Sequence, residues 1–245
     1  MKTPKCPRSI RTCLLLSALV GIAPLASHAQ SSANGAPLKT VNFRVMAMEG
    51  VILDTCFIQD RRIERFNASH SHPTKWLRYR GTGPINFYRA NDLSNIENLE
   101  EMPKPVAQFA PPSSGNWLLL FVKSPGVSGE GNYRIVNIPE NNEPVEVGIR
   151  FYNLTRKILA VNVTDEQMLL QPGDQKLINP SPGPNNGMGM KIAAKNEESW
   201  DLVSSTIFGH RPNARITIYI IDAGGEILFK RFTDAVPPPP AVAEG

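Results

Sequence analysis

A chain of 245 residues with 41% hydrophobic, 20% charged and 7% aromatic side chains has the composition of a folded globular protein, which excludes a disordered polymer and a bundle of membrane helices. Twenty-two prolines and eighteen glycines break the apolar residues into short runs and leave little room for long helices. The expectation is an all-β protein.

At the amino end, Lys2, Lys5, Arg8 and Arg11 precede an apolar run from Cys13 to Ala26 and the small-residue site Ser27-His28-Ala29. That order is the three-part pattern of a secretory signal peptide spanning residues 1–29 and cleaved after Ala29. Gly21 and Pro24 interrupt the run, which is shorter than the ~20 residues of a bilayer-spanning helix, so no transmembrane segment is expected in the mature chain. A periplasmic or extracellular location follows. Cleavage removes four basic and no acidic side chains, so the 26 Lys and Arg fall to 22 against 22 Asp and Glu. The net charge of +4 and the isoelectric point near 9.0 then belong to the export signal, and nucleic acid loses its support as a partner. Cys6 and Cys13 leave as well; the remaining Cys56 cannot form an internal disulfide, so the fold stands on its core.

Residues 30–40 are small and polar and read as a flexible leader. From there the dominant period is two. Phe43 to Met48, Val51 to Ile58, Lys75 to Arg80 and Ile85 to Arg89 read as strands, and Trp117 to Val122 (WLLLFV) is apolar on both faces, as a covered central strand would be. Tyr133 to Ile138, Val147 to Tyr152, Ile158 to Val163, Met188 to Ala193, Trp200 to Ile207, Ala214 to Ile221 and Glu226 to Phe232 continue the series. The turns Glu49-Gly50, Gly81 to Pro84, Gln171 to Asp174 and Ala223 to Gly225 suit hairpins and so antiparallel sheets. A helix competes only at Asp92 to Met102, where Leu93, Ile96 and Leu99 recur every third residue before Pro103. The four prolines in the tail of residues 234–245 favour an extended, disordered end.

Pro139 to Pro144 reads as a linker between two tandem immunoglobulin-like antiparallel β-sandwich domains, residues 41–138 and 145–233. Both segments open with a strand containing an arginine (Arg44 or Arg150), later reach a strong strand (WLLLFV or RITIYI), and end with a turn and a last strand. With Phe43-Arg44-Val45, WLLLFV, and the segment Val147 to Ile178 containing LLQPGDQKLI, the chain resembles a group of uncharacterised, signal-bearing all-β proteins of bacterial cell envelopes. That resemblance implies an envelope location and brings no catalytic residue.

Few residues suggest chemistry. His70 and His72, two apart, would offer two imidazoles to one metal ion if they lay on a strand, with Glu64 or His210 completing the set; as a polar loop before Pro73 they would simply be solvated. Cys56 reads as a small buried hydrophobe, on one strand face with Ile52, Asp54 and Ile58. Neither a nucleophile elbow nor a phosphate-binding loop is present. Asn67, Asn153 and Asn162 head glycosylation triplets, which matter only in a eukaryotic secretory route. Trp76 with Arg78 and Arg80 on one alternating face is the candidate ligand-binding surface, because an aromatic plate beside planar guanidinium groups suits a sugar. The sequence thus points to a non-catalytic binding or scaffold protein of the envelope, without cofactor, whose partner is an envelope protein or polysaccharide. Its alternatives are a metal-dependent enzyme using His70 and His72, or a subunit of a larger envelope assembly.

Overall fold

The computed structural model describes residues 37–93, 102–124, 132–140 and 146–235. The expected export signal, most of the expected leader, the bulk of the Asp92 to Met102 helix candidate, most of the Pro139 to Pro144 seam and the proline tail lie outside them. Of the helix candidate, a 3-10 turn at Ala90–Leu93 is described.

The described residues form an all-β fold of sixteen strands in four four-stranded sheets. The first eight are β1 (Lys39–Ala47), β2 (Val51–Gln59), β3 (Arg62–Ser69), β4 (Leu77–Gly81), β5 (Ile85–Arg89), β6 (Ala107–Phe109), β7 (Gly115–Lys123) and β8 (Tyr133–Pro139). They make sheets of order β4-β1-β7-β8 and β3-β2-β5-β6. The second eight are β9 (Gly148–Leu154), β10 (Leu159–Val163), β11 (Glu166–Leu170), β12 (Gln175–Ile178), β13 (Gly187–Lys195), β14 (Trp200–Gly209), β15 (Ala214–Ala223) and β16 (Glu226–Ala235). Their sheets, β12-β9-β15-β16 and β11-β10-β13-β14, repeat the first two strand for strand.

Pairing is antiparallel except at two places. β1 lies parallel to β7, and β9 lies parallel to β15. Of the four turns read as hairpins, only Ala223 to Gly225 closes one, joining β15 to β16. The other three carry the chain from one sheet to the other: β1 to β2, β4 to β5 and β11 to β12. A turn sequence specifies a reversal, but not whether the next strand stays in its layer.

Each half buries the inner faces of its two sheets against each other. In the first half that core is aromatic: Phe43, Phe57, Phe66, Phe87 and Phe121 meet mostly edge to face, with ring centroids 5.2 to 6.5 Å apart. In the second it is largely aliphatic, built from Leu159, Val161, Ile192, Ile216, Ile218 and Ile220 with Met188 and Met190. A third cluster joins the halves. The outer residues of β1 and β7 (Met46, Leu118, Leu120, Val122) pack with Tyr152, Leu154, Tyr219 and Ile221 of β9 and β15. This explains why WLLLFV is apolar on both faces. It also corrects the half-buried reading of Ala214 to Ile221, whose Thr217 and Tyr219 are buried too.

β2 carries a register shift between Ile52 and Thr55, with Asp54 at φ 48°. The extra residue reverses the alternation beyond it. Ile52 therefore faces the aromatic core, whereas Cys56 faces the outer side of its sheet, under Tyr88, Ala90 and Leu93. The expected shared face of Ile52 and Cys56 does not survive the bulge.

Candidate functional site

The Trp76 surface is built by the pairing of β4 with β1. Asn42 lies opposite Arg78 and Thr40 opposite Arg80, while Leu77 and Tyr79 pack inward against the aromatic core. Arg78 and Arg80 are exposed on the outer face, and one step further in register Trp76 meets Arg44 of β1. The Arg44 guanidinium carbon lies 4.9 Å from the indole centroid, and Trp76 remains 51% exposed. Arg44 is itself clamped by Glu140, its Nε donating to Oε2 at 2.9 Å and its Nη2 to Oε1. A guanidinium held by a carboxylate in this bidentate way keeps its plane fixed while it supports the ring. Beside it, Asn42 Nδ2 donates to Asn116 Oδ1 at 3.0 Å.

Gln59, at the end of β2, fixes the far end of β4. Its Oε1 accepts from the Arg80 backbone N–H at 2.8 Å and its Nε2 donates to the Arg80 carbonyl at 3.3 Å. One carboxamide thus occupies the outward backbone groups of an edge residue, as a neighbouring strand would. The result is an indole, three guanidinium groups and two carboxamides on one sheet face. Among the described residues no carboxylate pairs with Arg78 or Arg80.

The histidine pair lies in a bend after β3, not on a strand. The His70 backbone N–H donates to the Gly50 carbonyl at 3.0 Å and its Nδ1 lies 3.0 Å from the same oxygen. His72 Nδ1 lies 3.1 Å from Ser71 Oγ, which contacts Ser69 Oγ at 2.7 Å. The two His70 contacts pin the loop to the turn between β1 and β2, and the others lie within residues 69–72. Glu64 sits within β3 opposite Phe57, and His210 follows β14 in the other half. Among the described residues no three His, Cys, Asp or Glu side chains gather to hold a metal ion.

The Gly50 turn also borders a cleft of about 330 Å³ lined by Glu49, Val51, Leu53, Arg89, Lys123 and Tyr133 among others. Cys56 is fully buried, and burial pushes its thiol up, with Arg65 opposing and Asp92 adding to the shift. A thiolate is therefore disfavoured there. Asn153 is fully buried as well, which rules out modification of its side chain in the folded protein.

The sequence reading placed Trp76, Arg78 and Arg80 on one face but missed Arg44, Asn42, Asn116 and Glu140. All four come from other strands or a strand end, and only the pairing brings them in. An arginine in an alternating strand was visible; its partner was not. No helix among the described residues is long and apolar enough to cross a membrane. No family model matches this chain, and no curated protein matches it in sequence.

Proposed function

We propose that this chain is an exported, non-catalytic binding protein of the bacterial envelope whose β4 edge recognises an anionic polysaccharide. The observation that carries the reading is the Arg44-supported, half-exposed Trp76 in line with Arg78 and Arg80. An indole face offers a sugar ring a flat apolar contact, and the guanidinium groups offer its carboxylates forked donors. The basic, apolar and small-residue order of residues 1–29 supports export.

The test is retention of the processed protein on immobilised polygalacturonate. Replacing Trp76, Arg78 and Arg80 together by alanine should lower retention at least tenfold with an unchanged circular dichroism spectrum. Wild-type retention should weaken with added salt, as screened charge contacts do. Unchanged retention of the triple variant would remove this surface from contention.

A second reading, a subunit completed by strand addition, is favoured by β14. This ten-residue edge strand has Asp201 as its one charged residue and leaves Leu202 and Ile207 65% and 79% exposed. Such an edge lacks the lysines or prolines that ordinarily discourage pairing. Isolation of the native protein with a stoichiometric partner, lost on Ile207→Lys, would establish it.

A further inference from the structure

We propose that the second half carries a small oxyanion site, for a phosphate or sulfate group, at the flank between β14 and β16. A cleft of about 170 Å³ opens there, and its lining includes Phe208, His210, Arg211, Ile216, Arg231 and Thr233. Phe208 and Ile216 are buried and form the floor. Every ionisable group in the lining is an arginine or a histidine, and no acidic side chain is among them.

The placement of Arg231 is unusual for a strand residue. Its register partner is Ile218 and that of Thr233 is Ile216, both core residues, so Arg231 and Thr233 stand on the inward side of edge strand β16. There the Arg231 guanidinium carbon lies 4.9 Å from the Phe208 ring centroid. A guanidinium stacked on a ring loses little further freedom when it meets an anion. Among the described residues neither Arg231 nor Arg211 has a carboxylate partner. The His210 backbone N–H donates to the Asn186 carbonyl at 2.9 Å, tying the residue after β14 to the loop before β13.

Two guanidinium forks offer donors and no acceptor, and the histidine ring N–H and threonine hydroxyl can add two more. That set complements a group with several acceptor oxygens. The volume falls below the ~300 Å³ at which sites for drug-sized ligands begin, so it suits one oxyanion rather than a whole nucleotide. The group can arrive as the free ion or as the monoester of a sugar.

The test is titration of the processed chain, separately with inorganic phosphate and with glucose 6-phosphate, followed by amide chemical shifts. We expect saturable shifts at Gly209, His210, Arg211 and Thr233, with affinity at least tenfold weaker in Arg231→Gln and in Arg211→Gln. Arg231→Lys keeps the charge but loses the fork and should fall between. Tighter binding of the ester assigns the site to sugar phosphates, and equal or weaker binding assigns it to the free ion. Absence of saturation with both probes, or unchanged affinity in the glutamine variants, overturns the proposal. Arg211 is exposed in the β14 to β15 connection, so its variant remains informative if Arg231→Gln perturbs packing.

Discussion

The two halves share one strand order yet finish their β6/β8 and β14/β16 flanks differently. In the first, β6 has three residues, the Tyr133 N–H of β8 donates to the Val106 carbonyl at 2.8 Å, and the Tyr133 ring packs on Phe121 with centroids 5.8 Å apart. In the second, β14 and β16 each run ten residues, and among the described residues no backbone bond joins them. The same topology thus closes on itself where the edge strand is short, and keeps an accessible, cation-lined margin where it is long. Closure belongs to the edges, not to the strand order.

The strongest challenge to that comparison is Asn153, which organises the second half alone. Its Nδ2 donates to the carbonyls of Lys157, Leu170 and Gln171 at 2.9 to 3.0 Å, and its Oδ1 accepts from Thr155 N–H and Oγ1. Each buried group left without a partner costs ~1–3 kcal/mol, so Asn153→Ala should lose about 4 kcal/mol in urea unfolding. Hydrogen exchange should show that loss in the β9 to β16 amides first; equal loss in β1 to β8 would mean that the halves unfold as one body.

Leu120, fully buried at the junction of the halves, provides the complementary experiment. Leu120→Ala should cost about 3 kcal/mol through lost contact and a residual cavity. Here both halves should lose protection together, and an effect confined to one of them would contradict the shared cluster.

A smaller effect concerns Tyr219 at the same junction. Burial pushes its phenol up, with Tyr152 and Glu140 adding and Arg215 and Arg44 opposing. The folded state therefore holds this proton after the unfolded chain, titrating near its ordinary 10.0, has begun to release it. The contribution to stability is complete below pH 10.0 and declines as pH rises above it. Tyr219→Phe should flatten the fall in urea midpoint between pH 8 and pH 11, and an unaltered fall would place the alkaline sensitivity elsewhere.

The smallest effect is local. The Tyr133 amide should exchange at least tenfold more slowly than those β14 amides that do not bond β13. Comparable rates would erase the distinction between the sealed and unsealed flanks.

Every central strand was legible in the sequence, whereas half of the edge strands were not. Arg62–Ser69, Ala107–Phe109, Glu166–Leu170 and Gln175–Ile178 escaped the reading, and all four are edge strands. In β3 only Phe66 and Ala68 are buried, and in β12 only Ile178, so the apolar period is too weak to recognise. β1 starts at Lys39, inside the segment read as leader, because its first residues pair with Arg80 and Gly81. The parallel contacts were invisible for another reason: nothing near Phe43 says that it will lie beside Trp117. At the candidate site, the part carried by β4 alone was readable, and the part supplied by β1 and β7 depended on those distant pairings.

That distant pairing has a temporal consequence. Asn42 and Asn116 are 74 positions apart and lie side by side in β1 and β7. A polypeptide made amino end first can pair the start of β1 with β4 early, but the other side of β1 stays open until the seventh strand has emerged. Loop closure over such a span is slow relative to local contacts. The first sheet should accordingly stay incomplete through most of that interval, with β1 open along the side that β7 will fill.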